Sequence, residues 1–438
     1  MHHHYTREDI YRLVEEEDIE FIRLQFVDIF GRLKNMAMTV SQLDKILDNK
    51  CKFDCAAIEG FSKSDAEVLF LAPDLSTFEI FPWRPQNGKV ARFICDVIRP
   101  DGKPFEGDCR YVLKQAVKEA KSMGYDFCVG SRCEFFLFDA DEEGQPTTFS
   151  AERGGYFDIG PVDQGENARR DMVLYLSDMD VEIAASYHSN EEAQHVLELA
   201  EDNVLDAADD FMTYRLVTRT VAKRHGLHAT FMPKPRKELN GSGAHLEFSL
   251  YKDGKNIFSD NSKEDGISDE AYSFMAGMLA HMEAMTLITN PIVNSYKRLV
   301  PGFRAPVRIG WSRSERSQLI RLTNVYGEGT KIILNSPDGA CNPYLVFAAC
   351  LYAGLDGIRN NQKPGPSFEE LSKEQLEEED VLPRTLFEAI QSFEKNSFLQ
   401  NALGKMLTDN YIKEKKSEWY DYCKQVTDWE INRYLDTV

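Results

Sequence analysis

The chain has 438 residues, a formal net charge of −21 and 42% hydrophobic residues. A chain this acidic should repel nucleic acid and anionic membranes, so neither is predicted as a partner. The sequence has no apolar stretch of about 18 residues and no apolar segment near Met1, so we expect no membrane span, no secretory signal and a cytoplasmic location.

The first hundred residues predict a small α+β domain. Thr6 and Asp9 have the spacing of a capping box, which predicts a helix start. Alternating apolar and polar residues at 20–26 and 35–40 flank a turn and indicate a β-hairpin. The rest of this part is predicted to contain a short helix capped by Ser41 and Asp44, and strands at 68–71, 78–81 and 90–97.

A second, larger α+β unit is predicted after a turn-rich boundary at Pro100–Pro104. The two domains are therefore predicted at residues 1–103 and 104–438. The acidic run Glu369–Asp380 is interpreted as a solvated loop or helix. Helices are expected at 110–123, 167–179, 204–225, 269–288, 343–360 and the C-terminus, and strands at 126–138, 181–188, 227–233 and 243–251.

The nine cysteines are an odd number, and none stands in a CxxC pair. Reduced thiols fit this pattern better than a disulfide frame or a zinc knuckle does.

Longer motifs occur along the chain in a characteristic order. They include Lys89-Val-Ala-Arg-Phe-Ile-Cys-Asp96, Gly154-Gly-Tyr-Phe-Asp158, Gly226-Leu-His-Ala-Thr-Phe-Met-Pro-Lys-Pro235, Asn240-Gly-Ser-Gly243, Asn294-Ser-Tyr-Lys-Arg-Leu-Val-Pro-Gly302 and Asn342-Pro-Tyr-Leu345. Together they span nearly the whole chain, and through them the sequence resembles type I glutamine synthetases.

The resemblance implies an N-terminal β-grasp-like domain and a C-terminal catalytic-type domain with a curved antiparallel sheet backed by helices. It also implies a dodecamer of two stacked hexameric rings, with each active site between neighbouring subunits. The family reaction, a step of nitrogen metabolism, uses ATP to make γ-glutamyl phosphate, from which ammonia displaces the phosphate. Two divalent cations, each held by three side chains, align and neutralise the reacting groups.

Most metal-ligand positions of that family carry other residues in this chain. Two of the ligands are retained, Glu134 and His245. The other four positions, normally glutamates, hold Arg132, Ser189, Val196 and Ile333. Valine and isoleucine cannot coordinate a hard cation, and arginine repels one. The resemblance therefore implies a degenerate member with a dismantled two-metal site.

The ammonia half of the site departs from the family as well. Arg304 replaces the flap glutamate that takes a proton from ammonium, and arginine is not a base near neutral pH. Asn335 replaces a family arginine. Asp54 matches a catalytic residue that the neighbouring subunit lends, but alanines replace the two hydroxyl residues of its loop.

Positions that grip anions in the family survive better. Those matched to substrate or phosphate contacts are Asn240, Gly241, Arg298, Arg316 and Arg321, of which Arg298 also counts as catalytic in the family. A guanidinium holds a carboxylate or phosphate in a two-point fork. We hypothesise that arginines serve as built-in cations at the metal positions, and that Glu134 pairs with Arg132.

Structural alternatives stand beside these functional interpretations. Glu134 can be an ion-pair partner, His245 a core histidine, and the arginines structural anchors. A rerouted metal site would draw on Glu191, Glu192, Glu198 or Glu247. Glu247 is the best of these, because it shares a strand face with His245.

Two functional hypotheses follow. The first is a pseudoenzyme, a non-catalytic structural or regulatory paralogue that binds a small anion, needs no cofactor, and forms rings alone, with an active glutamine synthetase or with a regulator. The second is an ATP-dependent glutamate–ammonia or glutamate–amine ligase that uses Mg²⁺ or Mn²⁺ at a rerouted site. The first accounts for the loss of four metal ligands, and the second does not.

Overall fold

A computed structural model of the chain describes residues 4–61, 68–84, 87–314, 318–325 and 329–438. Its helices are α1 Arg7–Glu16, α2 Leu43–Leu47, α3 Cys109–Ser122, α4 Glu166–Ser177, α5 Val204–Arg224, α6 Asp269–Ala280, α7 Met282–Thr289, α8 Ser295–Arg298, α9 Pro343–Arg359, α10 Lys373–Glu378, α11 Leu386–Lys395, α12 Ser397–Leu403, α13 Lys405–Cys423 and α14 Asp428–Tyr434. Its strands are β1 Ile19–Val27, β2 Leu33–Thr39, β3 Cys51–Asp54, β4 Val68–Pro73, β5 Glu79–Ile80, β6 Lys89–Ile98, β7 Asp126–Asp139, β8 Ile183–His188, β9 Gln194–Asn203, β10 Leu227–Thr230, β11 Ala244–Lys252, β12 Lys255–Asn256, β13 Trp311–Ser312, β14 Ile320–Val325 and β15 Gly329–Leu334.

The N-terminal strands form one sheet in the order β2–β1–β6–β4–β3, with β5 paired to β6. Strands β1 and β6 run parallel, and the other pairs are antiparallel. The predicted hairpin is the antiparallel pair β1–β2. Ile22 and Leu24 of β1 are fully buried, as are Ile10 of α1 and Phe93 of β6. Burying these apolar side chains between sheet and helix stabilises the small α+β domain predicted from the sequence.

The C-terminal strands form a second sheet in the order β13–β14–β15–β11–β7–β9–β8, with β10 on β7 and β12 on β11. The sheet is antiparallel except for the parallel pair β13–β14. Helix α5 packs on β7, β9 and β10, and α9 packs on α3, α5 and α6. The Tyr214 hydroxyl of α5 donates to the Cys133 carbonyl of β7 at 3.0 Å, which ties this helix to the strand that carries the site. The predicted α+β class is confirmed.

Two capping motifs were predicted at helix starts, and the structure contains one of them. The Thr6–Asp9 capping box is present at α1, as predicted. The predicted Ser41 cap is wrong, because a 3-10 turn at Val40–Gln42 leads into α2 and no side chain caps it. The single helix predicted at 269–288 is divided at His281, whose φ and ψ are −112° and 6°. Strands β3, β9, β12, β13, β14 and β15 were not predicted.

No helix in the described ranges is both long enough and apolar enough to cross a membrane. All nine cysteines are free thiols. Burial raises the pKa of those in the core, such as Cys95 and Cys133, so they stay protonated at neutral pH.

Candidate functional site

A pocket of about 650 Å³ opens on the face of the large sheet formed by β7, β8, β9 and β11. Side chains alternate between the two faces of a strand, so every second residue of each strand points towards this face. The pocket is lined by nine positions that the sequence singled out: Arg132, Glu134, Ser189, Val196, Asn240, Gly241, His245, Arg298 and Arg304.

The first half of the pocket surrounds Glu134. Val196 lies directly opposite it in the β7–β9 register, and the Ser189 hydroxyl donates to Glu134 Oε1 at 3.3 Å. Glu134 Oε2 accepts the Gly243 N–H at 2.8 Å. Burial raises the pKa of Glu134, and the Gly243 N–H opposes that rise. One carboxylate beside a hydroxyl and an isopropyl group does not supply the oxygen ligands that a hard cation needs.

The second half of the pocket surrounds His245. Arg132 lies directly opposite it in the β7–β11 register. Ile333 of β15 lies opposite Glu247, two residues further along β11, and is only 4% exposed. The guanidinium of Arg132 and the sec-butyl group of Ile333 offer no oxygen ligands beside His245, so this half does not fit a hard cation either.

The ion-pair partner of Arg132 differs from the one hypothesised. Its Nη1 lies 3.9 Å from Glu198 Oε1, and Glu198 is the residue directly across the β7–β9 ladder. The Tyr187 hydroxyl also donates to that oxygen, at 2.6 Å. The hypothesis of a Glu134–Arg132 pair is wrong, because Glu134 is already held by Gly243, while the strand register presents Glu198 to Arg132.

His245 is a neutral imidazole held by a neighbouring strand. Its Nδ1 lies 2.6 Å from Asn335 Oδ1, and Asn335 Nδ2 donates to the Gln318 carbonyl at 2.7 Å. Because that amide oxygen can only accept, the proton of His245 lies on Nδ1. Burial, together with nearby Arg132, lowers the pKa of His245 to about 3. Asn335 thus sets the tautomer of His245.

Arg298 lines the pocket but acts mainly as an anchor. Its Nη1 donates to the Ser336 carbonyl at 2.7 Å, and its Nη2 to the Asn335 carbonyl at 3.1 Å. The side chain is only 3% exposed, and burial lowers the pKa of its guanidinium. The structural alternative therefore explains most of what Arg298 does in this chain.

Arg304 lines the pocket next to Asn190 and Asn240. Its backbone N–H donates to Asn240 Oδ1 at 3.0 Å, and its Nη1 donates to Asn190 Oδ1 at 2.6 Å. Both partners are neutral amides, so the charge of the exposed guanidinium is not neutralised. Gly241 is required beside it, because a Cβ there would lie 2.2 Å from the Pro233 carbonyl oxygen.

The four carboxylates proposed for a rerouted metal site are already occupied by protein donors. An acidic group that is already paired must give up that partner before it can bind a cation, so these residues do not form a ready metal site. Glu191 accepts from Asn240, Glu192 pairs with Arg153 at 3.0 Å, Glu198 accepts from Tyr187, and Glu247 pairs with Lys331 at 3.3 Å.

A buried group of metal-type side chains lies beneath β8 and β9, and comprises Glu152, Asp163, His188 and His195. Arg169 sits among them, donating to Asp163 at 2.9 Å and to His195 Nδ1 at 2.8 Å. Since arginine only donates, the lone pair of His195 Nδ1 is used. Glu152 accepts from His188 and from the Gly165 N–H. The guanidinium fills the role of the cation, and the group does not fit a metal.

Four predicted residues in the described ranges do not line the pocket: Asp54, Arg321, Ile333 and Asn335. Asp54 ends β3 and accepts the Ala56 N–H at 2.9 Å. Arg321 lies opposite Ile333 in the β14–β15 register and contributes to the low pKa of His245. Arg316 falls outside the described residues.

Sequence reasoning missed several residues that line the pocket. Tyr156, Tyr187, Asn190 and Gln194 belong to it, and Gln194 Nε2 donates to the Gly241 carbonyl at 3.1 Å. Of these four, Gln194 lies on β9, which was not predicted, whereas Tyr187 lies on the predicted strand β8.

We expect a His245→Asn variant to show a weaker pH dependence of its unfolding free energy. The pKa of His245 is about 3 in the folded chain against an ordinary 6.5, so the unfolded state binds the extra proton. The contribution of neutral His245 to the unfolding free energy is fully present above pH 6.5. It decreases as the pH drops towards 3, by up to ~1.4 kcal/mol per pH unit. Urea denaturation between pH 4 and 7 should show that unfolding of the variant takes up about one proton fewer than unfolding of the wild type. His225→Asn, at an exposed histidine, is the control, and equal slopes in wild type and His245→Asn would contradict the assignment.

Two family models match the chain: "Glutamine synthetase, beta-Grasp domain" over residues 18–100, and "Glutamine synthetase, catalytic domain" over residues 106–434. Curated relatives called glutamine synthetase include one from Clostridium saccharobutylicum, 50% identical over 99% of both chains, and one from Staphylococcus aureus, 46% identical over 98% of both. The domain bounds 1–103 and 104–438 stay a prediction.

Solved structures are similar over the same length. A GmaS/ADP complex has 29% identity and a TM-score of 0.89, and Plasmodium falciparum glutamine synthetase has 25% identity and a TM-score of 0.88. Each comparison covers 98% of this chain and 99% of the other.

Proposed function

The chain belongs to the glutamine synthetase family, with its N-terminal β-grasp and C-terminal catalytic-type domains, and we propose that it is a non-catalytic member. Its pocket binds a small anion through fixed arginines and does not carry out two-metal phosphoryl transfer. The observation that carries this proposal is the make-up of the two half-pockets. Arg132, Ser189 and Val196 line the pocket beside Glu134 and His245, with Ile333 in the adjacent strand, and neither half offers three ligand atoms for a hard cation.

The charge of the pocket supports an anionic ligand. The Arg132 side chain is 36% exposed, and its carboxylate partner Glu198 is 3.9 Å away. Arg304 contacts only neutral amides through the hydrogen bonds described above. Two incompletely neutralised guanidinium groups in one pocket attract a small carboxylate or phosphate, and their forked geometry suits either.

A structural or regulatory role in a ring assembly is part of the proposal. Asp54 lies away from the pocket of its own chain, which is the arrangement expected if neighbouring subunits complete each other's sites. We propose stacked hexameric rings, formed by this chain alone or together with an active glutamine synthetase or a regulator. The cytoplasmic location stays a prediction.

The alternative function is an ATP-dependent glutamate–ammonia or glutamate–amine ligase. It is favoured by the 50% identity, over almost the whole chain, to a relative called glutamine synthetase. Such an enzyme would need Mg²⁺ or Mn²⁺ and ATP. The engaged carboxylates around the pocket, such as Glu247 on Lys331, speak against a rerouted metal site.

Calorimetric titration separates the two functions. We expect Mg²⁺ and Mn²⁺, with or without ATP, to give no saturable heat, and no γ-glutamyl transfer to be detected. Glutamate or phosphate should bind, and Arg304→Ala or Arg132→Ala should weaken that binding about tenfold or more, since charge-assisted hydrogen bonds are worth about 1.5–3 kcal/mol.

Arg153→Ala is the matched control, because that arginine is 73% exposed and lies outside the pocket lining. Metal-dependent nucleotide binding accompanied by turnover would establish the ligase instead. Anion binding that is the same in the wild type and in both pocket variants would contradict the assigned site.

A further inference from the structure

A second cavity, of about 1620 Å³, lies between the N-terminal domain and helix α5 and shares no lining residue with the first pocket. Its walls come from β1 and β2, from residues 81–84, from α5 and from α13. Eight of the lining side chains are cationic, and one, Glu418, is acidic. This concentration of positive charge contrasts with the formal net charge of −21 for the whole chain. We call this cavity the basic cleft.

Helix α5 supplies a regular row of cations to the basic cleft. Arg215, Arg219 and Lys223 follow one another at intervals of four residues. An α-helix rises 1.5 Å per residue, so the row places a charge about every 6 Å along one face. Like charges at this spacing destabilise a helix by a few tenths of a kcal/mol per pair. The row therefore does not serve the stability of α5.

Protein carboxylates neutralise few of these cations. Arg32 pairs with Glu59 at 2.8 Å, and Lys415 pairs with Glu418 at 2.8 Å. The other six contact no carboxylate within the part of the chain that the structure describes: Arg23, Arg84, Arg215, Arg219, Lys223 and Arg224. Arg215 is only 8% exposed, and its Nε has no hydrogen-bond partner there. That Nε is shielded from solvent, while Arg215 Nη1 donates to the Gly31 and Cys341 carbonyls at 3.4 and 3.3 Å, so backbone carbonyls and not carboxylates hold this cation.

Aromatic rings hold two of the guanidinium groups in place. The Arg215 and Arg219 groups lie 5.9 and 5.3 Å from the centre of the Phe231 ring. Partial desolvation by the cleft walls and the charge of Arg215 lower the pKa of Arg219 to about 10, so its exposed guanidinium is still charged at neutral pH. A second aromatic wall is Trp83, stacked on Phe81 with ring centres 4.6 Å apart. The cleft thus holds mutually repelling cations in fixed positions.

We propose that the basic cleft binds an oligophosphate, a chain of linked phosphate groups such as triphosphate or the phosphate tail of a nucleotide. Two features of the row on α5 favour linked phosphates over a single carboxylate. It offers three cations over about 12 Å, which one small carboxylate cannot span. Guanidinium forks also match the oxygens of phosphate groups, and each phosphate brings more charge than a carboxylate.

The basic cleft is separate from the proposed anion pocket, and oligophosphate binding in the cleft does not require an anion in that pocket. Calorimetric titration of the full chain with sodium triphosphate, without divalent metal, tests it directly. We expect saturable binding that weakens as salt is raised, because screening reduces attraction between exposed charges. The double variant Arg219→Glu/Lys223→Glu should bind at least tenfold more weakly. Both side chains are exposed in the cleft, so folding should be retained.

The matched control is Lys118→Glu/Lys121→Glu, which makes the same charge change on exposed lysines of α3 and should bind like the wild type. Arg304→Ala should also leave triphosphate binding intact. Titrations with ATP and with adenosine identify the source of the phosphates. Tighter binding of ATP than of triphosphate would support a nucleotide whose base uses Trp83, and equal binding would support recognition of phosphates alone.

Three results would overturn the proposal. One is the absence of saturable triphosphate binding to the wild type. The second is binding that Arg304→Ala abolishes while the Arg219→Glu/Lys223→Glu variant retains it. The third, seen by sedimentation velocity, is dissociation of an assembly by the Arg219→Glu/Lys223→Glu variant with no triphosphate binding in the wild type. That outcome would assign the cleft to an acidic segment of a second copy of this chain.

Discussion

Replacing Arg110 by alanine should destabilise the folded chain by about 3–5 kcal/mol, the usual cost of leaving buried charges without their partner. Arg110 is only 3% exposed and lies at the start of α3. Its guanidinium contacts Asp96 at 2.7 Å, Asp74 at 2.8 Å and Asp209 at 2.8 Å. Asp74 and Asp96 belong to the N-terminal sheet region and Asp209 to α5, so one side chain joins the two structural units.

The three carboxylates explain the size of this effect. Burial alone would raise the pKa of Asp74, but Arg110 and Ser76 bring it to about 2. Without Arg110, Asp209 keeps the Tyr344 hydroxyl at 2.6 Å but loses its charged partner inside the protein. Lys114 can still reach Asp96, where it already lies at 2.6 Å, which is why we do not expect a larger loss.

Urea denaturation at neutral pH measures the prediction. Arg110→Lys should give an intermediate loss, because an ammonium keeps the charge but cannot reach three carboxylates with a planar fork. Arg170→Ala is the surface control, since that arginine is 70% exposed and pairs only with Asp171, and it should change stability by less than about 1 kcal/mol. A loss below about 1 kcal/mol for Arg110→Ala would show that the network does not join the two units.

Returning the altered pocket positions to the family residues should create divalent-metal binding, with Mn²⁺ affinity at least about 100-fold above that of the wild type. The changes are Arg132→Glu, Ser189→Glu, Val196→Glu, Arg304→Glu, Ile333→Glu and Asn335→Arg. Losing even an outer partner of a metal site costs about 10–100-fold in affinity, so restoring four direct ligands should exceed that factor. Carboxylate oxygens are the ligands that Mg²⁺ and Mn²⁺ prefer.

A smaller variant separates metal binding from folding. Ser189 and Val196 both lie beside Glu134, so Ser189→Glu/Val196→Glu alone should assemble three carboxylates in one half of the pocket. Ser189 and Val196 are as buried as Ile333, at 1%, 2% and 4% exposed, so folding of the variant has to be measured beside its metal binding. Calorimetry with Mn²⁺, beside a thermal unfolding curve, measures both properties. The control is Arg304→Glu/Asn335→Arg, which adds no direct ligand of the family set and should bind no metal.

The outcome of the restoration decides how far the pocket has changed. Metal binding by the restored chain would show that the scaffold is intact and that only the ligands were lost. A restored chain that unfolds normally, yet binds Mn²⁺ no better than the wild type, would show that the backbone of the half-pockets has moved as well. In that case the family positions assigned to Ser189, Val196 and Ile333 would no longer be equivalent.

Much of the architecture followed from local patterns in the sequence. Alternation along 126–138 and 243–251 predicted β7 and β11, and the Thr6–Asp9 box predicted the start of α1. These signals are local, because strand period and helix capping involve residues a few positions apart. Strand β9 escaped, since its first residues mix buried polar and apolar side chains and so do not alternate cleanly.

The sequence by itself predicted which family side chains the pocket lacks and which it keeps, because motif order assigns positions without any coordinates. It did not determine which partners those groups choose. Arg132 takes Glu198 and leaves Glu134 to the Gly243 N–H, since register across three strands decides which side chains meet.

Only the tertiary structure decided the remaining questions. Glu247 forms an ion pair with Lys331 of another strand and is therefore not available to a metal. The backbone carbonyls of residues 335–337 accept hydrogen bonds from the Arg298 guanidinium. The row of cations on α5 is a plain surface pattern in sequence, and it becomes a cleft because the N-terminal domain packs beside it. Contacts between residues far apart in the chain depend on how whole elements pack, and no local pattern specifies that packing.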